Sequence, residues 1–310
     1  MIHMKNNEMG RDFVSNRMPE NPGTVTDKMS QRSATVADKM SQRLLTVANM
    51  LGEISGDEAV DETPAPGMFS CVADVGCDHG YVSMYLVQSG IAGRAIAMDV
   101  RKGPLAMAAG NIEIMGLSDR IETRLSDGLS ELGPGEADSL VIAGMGGKLM
   151  ISILEKKSLS SLGIKSAVLQ PQSDIDEFRQ FLRDEGLIIV DERIVLEDGK
   201  YYFPMKVEVR DDNRVGKAKG RAPVRFEDMP GPAAVSKALE ITDSKALQRI
   251  CNRYGEMNIL RKDPLLEKFL LHGREVCGSI LQSLDEISHS DRFNEVRQEA
   301  EDIDLLLKMF

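Results

Sequence analysis

The stretch Val72 to Tyr81, which reads VADVGCDHGY, limits what this chain can fold into more than any other. An apolar run, Phe69 to Ala73, ends in Asp74; a tight loop follows, and then the helical-looking Tyr81 to Gln88. Strand, glycine loop and helix in that order is the geometry by which an α/β sheet presents a helix N-terminus to a ligand. Gly76 and Gly80 lack a Cβ, so the first permits a sharp turn and the second close helix–strand packing. The spacing is D-x-G-x-x-x-G, not the three-glycine G-x-G-x-x-G of dinucleotide-binding loops. Asp74 and Asp78 would repel a pyrophosphate and favour a cationic ligand. An ordinary strand–helix turn is the plainer alternative.

Four more apolar runs follow at intervals that alternate with helical patterns. Arg94 to Asp99 is a second short strand, and Pro104 opens a helix with Leu105, Ala108, Ala109, Ile112 and Met115 on one face and Gly116 as its stop. Arg120 to Leu125 is a third strand before Ser126-Asp127-Gly128. Asp138 to Ala143 is a fourth before Gly144-Met145-Gly146-Gly147, and Ser166 to Leu169 a fifth before Gln170-Pro171-Gln172. Leu187 to Val195 and Tyr201 to Val209 form a terminal hairpin around Glu197-Asp198-Gly199-Lys200. Strands alternating with helices predict a mostly parallel sheet, here finished by an antiparallel pair.

The carboxyl edge of such a sheet binds ligands, and four strand ends meet there. The first offers Asp74, Gly76, Cys77, Asp78, His79 and Gly80, the second Asp99, the third Asp127 and Gly128, and the fourth Ala143 and the glycines after it. Asp99 is placed to accept two hydrogen bonds from ribose hydroxyls, or is a polar strand terminus. Asp127 with Gly128 can meet an adenine edge, or is a helix N-cap. The first-loop pattern is the type that cradles S-adenosylmethionine in class I methyltransferases, whose ammonium and sulfonium suit the acids. His79 orients that cofactor, contacts an incoming base, or caps the next helix.

The combination ADVGCDHGY, VIAGMGG and LQPQ resembles the bacterial tRNA adenine-N1 methyltransferases that modify position 22 of tRNA. The resemblance runs from Ser41-Gln-Arg-Leu-Leu-Thr-Val-Ala48 through Glu197-Asp-Gly-Lys-Tyr-Tyr202 to Tyr254-Gly255, roughly residues 41 to 290. It implies a Rossmann-like class I methyltransferase fold with a C-terminal α-helical coiled-coil domain, S-adenosylmethionine as methyl donor and tRNA as substrate. Enzymes of this class acting on exocyclic amines mostly end the fourth strand in an Asn/Asp-Pro-Pro-Tyr/Phe box, and Ala-Gly-Met-Gly-Gly stands here instead. That suits a ring nitrogen, whose lone pair needs no base before attack. Gly144, Met145, Gly146, Gly147, Gln170 and Pro171 are therefore the expected methyl-transfer pocket, with Gln170 and Gln172 as candidates for bonding the adenine edge. Adenine N1 lies on the pairing edge, so the base must first leave its stack or pair. Two alternatives remain open: a methyltransferase of this fold acting on another RNA site or a small molecule, and a non-catalytic RNA- or protein-binding module with a vestigial pocket.

With 310 residues the chain exceeds one ordinary domain. Residues 1–40 read as a flexible extension in which Val25-Thr-Asp-Lys-Met-Ser-Gln-Arg32 recurs eleven residues later as Val36-Ala-Asp-Lys-Met-Ser-Gln-Arg43. A third, partial copy begins at Val47-Ala-Asn-Met50, and the series reads as duplication of the first helix, with only the last copy, Ser41 to Leu51, expected to be packed. The methyltransferase domain spans 41–210, a basic linker 211–232 and the helical domain 233–310. After Pro264 the series Leu266, Leu270, Gly273, Cys277, Ile280, Leu284 and then Phe293, Val296, Ala300, Ile303, Leu307 steps by threes and fours, as in an antiparallel coiled-coil hairpin.

A net charge of −11 means that any RNA contact must come from local clusters. The candidates are Arg101, Lys102 and Lys148 beside the active edge, and Arg214, Lys217, Lys219 and Arg221 in the linker. The linker is equally readable as a solvated spacer. Cys71, Cys77, Cys251 and Cys277 form no CxxC and no metal-ligand spacing, as in a reduced, cytoplasmic protein without a structural metal. The N-terminus lacks a secretory apolar core and no run spans a membrane, so a cytoplasmic protein is expected; the sequence leaves the oligomeric state open, with a monomer the favoured reading.

Overall fold

The structure, a computed structural model, describes residues 35–53, 68–209, 226–285 and 289–310. Contacts divide the chain after Thr35, and Val36–Phe310 form one compact unit. The first helix, α1 (Gln42–Gly52), is capped by Ser41, whose hydroxyl accepts from the Leu44 N–H. Just before it, Val36–Lys39 makes a 3-10 turn. Val36 of that turn and Met40 just after it are buried in the same apolar cluster as Val47 and Leu51. The second repeat copy is therefore packed as well, which corrects the expectation that it is part of a loose extension. The first copy lies outside the described residues.

The strands are β1 (Phe69–Val75), β2 (Ala92–Asp99), β3 (Ile121–Leu125), β4 (Ser139–Met145), β5 (Ser166–Pro171), β6 (Ile188–Glu192), β7 (Val195–Glu197), β8 (Lys200–Tyr202) and β9 (Met205–Glu208). Among the described residues seven of them form one sheet in the order β3-β2-β1-β4-β5-β9-β6, and β7 pairs β8 in a separate ribbon. The first five are parallel, and β9 runs antiparallel to both β5 and β6. Helices cover both faces, so the central strands read as near-continuous apolar runs; all six residues of β5 are buried. The mostly parallel Rossmann-like sheet with an antiparallel finish is as expected. The terminal hairpin is interrupted, however: Pro204 has no N–H, the ladder breaks, and Arg193 N–H reaches the Pro204 carbonyl at 3.0 Å.

Crossover helices α2 (Tyr81–Gln88), α3 (Lys102–Ile114), α4 (Gly147–Lys156), α5 (Leu159–Leu162) and α6 (Ile175–Asp184) connect the strands. The strand order reverses direction at β1, with β2 on one side and β4 on the other. In open α/β sheets that switch point is where a crevice opens at the carboxyl edge. In register, Asp74 lies opposite both Ala97 and Val141, and Asp99 opposite Leu125.

Five helices follow: α7 (Pro230–Leu239), α8 (Ser244–Tyr254), α9 (Glu256–Leu260), α10 (Pro264–Ser283) and α11 (Ser290–Leu307). The last two form a helical hairpin. Leu266, Leu270 and Cys277 are buried in its seam with Val296, Ile303 and Leu306, and Gly273 allows close approach, since a Cβ there would lie 3.1 Å from Ile303 Cδ1. Leu306, rather than the expected Leu307, is the fully buried residue near the end. The helices are welded to the sheet domain. Phe269 packs edge-on against Tyr201 and Phe203, at 5.1 and 5.5 Å between centroids. Arg179 of α6, fully buried, donates Nε to Glu192 at 2.6 Å and Nη1 to the carbonyls of Asn252 and Arg253.

Candidate functional site

The loop after β1 is shaped by three left-handed residues, Gly76 (φ 79°), Asp78 (φ 48°) and Gly80 (φ 75°). The N–H groups of Gly76 and Cys77 both donate to the Met98 carbonyl, at 2.8 and 2.9 Å, which folds the loop across the end of β2. A Cβ on Gly76 would come within 2.4 Å of Met145 Cε, a side-chain end that could swing aside, so it is the left-handed backbone that favours glycine here. Gly80 caps α2, and its Cβ would stand 3.2 Å from Ala108 Cβ. The close approach it permits is therefore to helix α3, not to a strand.

The three expected acids converge on one cleft but sit in different surroundings. Asp74 is buried; its Oδ2 accepts from the Ser83 hydroxyl at 2.6 Å and the Ser83 N–H at 3.1 Å. Burial pushes its carboxyl up to about 6, with the Ser83 hydrogen bonds opposing and the charge of Asp99 adding to the rise. Asp99 is buried too, and its Oδ1 accepts from the Arg101 N–H at 2.8 Å and Nε at 3.4 Å. Among the described residues no hydrogen bond reaches its Oδ2, which leaves that oxygen for a ligand. Asp127 is exposed, and its Oδ2 meets Lys156 Nζ at 3.3 Å. The neighbouring Gly128 (φ 58°) is required where it stands, because a Cβ would lie 2.9 Å from Ile153.

His79 lines the cleft, with Nε2 3.5 Å from Asp78 Oδ2 and its ring stacked on Tyr81 at 5.7 Å. Its carbonyl accepts from Asn111 Nδ2, which ties the loop to α3. Burial raises the Cys77 thiol far above its ordinary range, and that of Cys71 to about 11, so neither is a thiolate near neutral pH.

β4 extends two residues beyond the expected end, to Met145, through a bulge between Ala143 and Met145 made possible by Gly144 (φ 82°). Ala143, Gly144 and Met145 line the cleft, whereas Gly146 and Gly147 do not. These two serve packing: a Cβ on Gly147 would be 2.4 Å from the Ser173 carbonyl, and one on Gly146 3.2 Å from Ser173 Oγ. Gln170 and Pro171 also lie outside the lining. Gln170 is wholly buried, its Nε2 donating to the Pro171 carbonyl at 2.8 Å and its Oε1 accepting from Arg43 Nη1 at 2.7 Å. With both ends of its amide engaged, Gln170 is not free to read a base edge. Gln172 does line the cleft.

Arg43 reaches the same wall from α1, and the sequence reading did not single it out. Of the expected RNA-contacting cations, Arg101 borders the cleft but pairs with Asp99 and, at 4.0 Å, Asp78. Lys148 stands outside, between Asp174 and Glu177 at 3.5 and 3.6 Å, and Lys102 is exposed on the first turn of α3. Arg214, Lys217, Lys219 and Arg221 lie outside the described residues. No group of three or more His, Cys, Asp or Glu among the described residues is arranged to hold a metal ion, and no described helix is long and apolar enough to cross a membrane.

The cleft encloses about 460 Å³ at the carboxyl ends of β1, β2 and β4, acidic on the β1 and β2 side and apolar around Met145, Leu149 and Ile153. The family described as "Methyltransferase domain" matches residues 66–205. Over 140 residues the chain is 39% identical to the tRNA (adenine(22)-N(1))-methyltransferase of Bacillus subtilis, a stretch amounting to 45% of this chain and 59% of that protein. The crystal structure of the B. subtilis M1A22 tRNA methyltransferase TrmK aligns with a TM-score of 0.63 at 27% identity, covering 86% of this chain and 98% of that one. Streptococcus pneumoniae Sp1610, solved in complex with S-adenosyl-L-methionine, aligns with a TM-score of 0.63 at 26% identity over 86% of this chain and 99% of that one. With the switch-point cleft, the D-x-G-x-x-x-G loop and the Ala-Gly-Met-Gly-Gly end of β4 all in place, the chain carries a Rossmann-like methyltransferase domain that is similar to the tRNA (adenine(22)-N(1))-methyltransferase of B. subtilis and spans about three fifths of that protein's length.

Proposed function

We propose that the protein transfers a methyl group from S-adenosylmethionine to N1 of adenine 22 in tRNA. The observation that carries this reading is the convergence of Asp74, Asp99 and Asp127 with Gly144 on a single cleft. The residues fit the donor. Among the described residues Asp74 is a buried carboxylate without a cation to pair with, so a positively charged ligand would relieve its burial. Asp78, exposed on the loop, adds a second acid on the same side. Asp99 Oδ2 is available to ribose hydroxyls, Asp127 with Gly128 to the adenine edge, and His79 and Cys77 complete the loop wall.

S-adenosylmethionine supplies an electrophilic methyl group on a sulfonium. Adenine N1 carries its own lone pair, so no side chain has to remove a proton before attack. The chain's part is then to position and to exclude water. Gly144, without a side chain, lets a flat base come close, and Met145 and Leu149 provide an apolar flank. The amide of Gln172 is placed to bond the base, and Gly146, Gly147, Gln170 and Pro171 hold this wall from behind.

In this reading tRNA phosphates meet Arg101, Lys102 and Lys148 around the cleft, and the linker cations Arg214, Lys217, Lys219 and Arg221. The helical hairpin α10–α11, as a short antiparallel coiled coil, extends the contact surface. The protein acts as a monomer in the cytoplasm. Incubation with methyl-labelled S-adenosylmethionine and unmodified tRNA, followed by nucleoside mass analysis and mapping, tests the proposal. 1-Methyladenosine at position 22 is expected; no label in tRNA, or label elsewhere, would overturn it.

A further inference from the structure

The wall of the cleft formed by the start of α1 has no role in the mechanism above, yet its Arg43 is held from several sides, with the β7–β8 ribbon behind it. Arg43 Nη1 donates to Gln170 Oε1 at 2.7 Å, and the Arg43 N–H donates to Glu197 Oε1 at 3.1 Å. Its guanidinium lies 5.1 Å above the Tyr202 ring, and Nε stands 3.6 Å from Glu197 Oε2. That Nε is buried and makes no hydrogen bond among the described residues. The ribbon's tip residues, Asp198 and Gly199, are both left-handed, giving the tight turn that brings Glu197 and Tyr202 to bear on one guanidinium.

The downstream connection is equally direct. Gln170 pairs with Ala143 across the β4–β5 ladder, and Pro171 pairs with Met145 on the far side of the bulge. Holding the Gln170 amide between Arg43 and the Pro171 carbonyl therefore fixes the strand end against which Gly144 is bulged. Arg43 Nη1 itself lies 3.9 Å from where a Cβ on Gly144 would be. A bare guanidinium at that spot would oppose a sulfonium donor and the cationic base that N1 methylation creates. Glu197 neutralises it, so the fork geometry is kept without a net positive charge.

We propose that Arg43 is a positioning residue for methyl transfer, clamped by Glu197 and Tyr202, and acting through Gln170 to set the Gly144–Met145 edge that receives the nucleobase. This rests on the methyltransferase reading above. It assigns the Glu-Asp-Gly-Lys-Tyr-Tyr ribbon, outside the main sheet, a part in the chemistry.

The test compares wild type with Arg43→Ala, Arg43→Lys, Glu197→Gln, Gln170→Met and the Arg43→Ala/Gln170→Met pair. The readouts are single-turnover transfer to unmodified tRNA at saturating substrates, donor affinity by calorimetry, and melting temperature. Arg43→Ala is expected to slow transfer on the order of 100-fold with donor affinity and melting almost unchanged. Arg43→Lys, which keeps the charge but not the fork, should recover part of the rate. Because Arg43 and Gln170 act in series, the pair should be no slower than the slower single variant. Arg43→Ala at full rate, losses that multiply in the pair, or a rate that falls only in step with melting would each overturn the proposal. If Arg43→Ala does not fold, full rates in both Arg43→Lys and Glu197→Gln overturn it. A wild type that binds donor but never labels tRNA overturns the methyltransferase reading itself, and this proposal with it.

Discussion

Ser83 directs both of its donors, hydroxyl and backbone N–H, at the same oxygen of Asp74, at 2.6 and 3.1 Å. One carboxylate of the cleft lining thus also closes the first turn of α2. The two hydrogen bonds do not make up for burial, and the carboxyl is raised from 3.8 to about 6. For an acid whose folded value lies above its unfolded one, stability is greatest below the unfolded value and is lost as pH rises through the folded one. The cost at neutral pH is about 3 kcal/mol.

Asp74→Asn should therefore stabilise the free protein at pH 8 by about 1–3 kcal/mol, and less at pH 5, where Asp74 is already largely protonated. It should also weaken S-adenosylmethionine binding. In the wild type, affinity should fall roughly tenfold from pH 7 to pH 5 as the carboxyl takes up its proton. Chemical denaturation and calorimetry at the two pH values check both; an unchanged stability difference would show that Asp74 is not the strained group.

Asp99 has one oxygen tied to Arg101 and one free among the described residues. Asp99→Ala should weaken donor binding by about 1–3 kcal/mol through lost charge-assisted hydrogen bonds to ribose. A folded variant with unaltered affinity by calorimetry would remove Asp99 from the donor site.

Much of this could be read from the residue order. Short apolar runs ending at or just before an acid located β1, β2 and β3 to within two residues, and their alternation with helical stretches announced a parallel sheet. Arg43 could not be found that way. It is 127 residues from Gln170 and 154 from Glu197, and only the fold joins them. The glycines after Ala143 looked equivalent in sequence, yet Gly144 faces the cleft while Gly147 makes room for the Ser173 carbonyl. Val36 was hidden because a 3-10 turn of four residues has no periodicity to detect.

That turn sharpens a truncation experiment. Removing residues 1–34 takes away only the earlier repeat copy and should leave the melting temperature unchanged. Removing residues 1–40 also strips Val36 and Met40 from the core, and full burial of each such side chain is worth about 1.5–3 kcal/mol. The longer deletion should lower the melting temperature by several degrees. Equal melting of the two proteins would place the 3-10 turn outside the cooperative unit.

Cations in the linker should be felt through salt. Neutralising Arg214, Lys217, Lys219 and Arg221 together should weaken tRNA binding and reduce its log–log salt slope by up to about 3 units, near 0.7–0.9 per phosphate contact. Binding measured from low to moderate salt checks this, and a parallel line for the variant would make the segment a spacer.

A buried ion pair joins the C-terminal helices to the sheet. Arg179 and Glu192 are both fully buried, and burial pushes the Glu192 carboxyl up against the opposing pull of Arg179. Gly255 closes over the pair: a Cβ there would lie 2.3 Å from Glu192 Oε2, in a backbone with φ of 80°. Arg179→Met leaves an unpaired buried carboxylate and two carbonyls without their donor, which should cost about 3–5 kcal/mol at pH 8. The deficit should shrink toward pH 5, because a carboxyl with a raised folded value is stabilised by taking up its proton. Replacing both residues, Arg179→Met with Glu192→Met, removes the stranded charge and should recover at least about 1–2 kcal/mol of that loss. Urea unfolding of the two variants at both pH values measures this; a double variant less stable than the single would mean that the ion pair itself, rather than freedom from an unpaired charge, holds the helices in place.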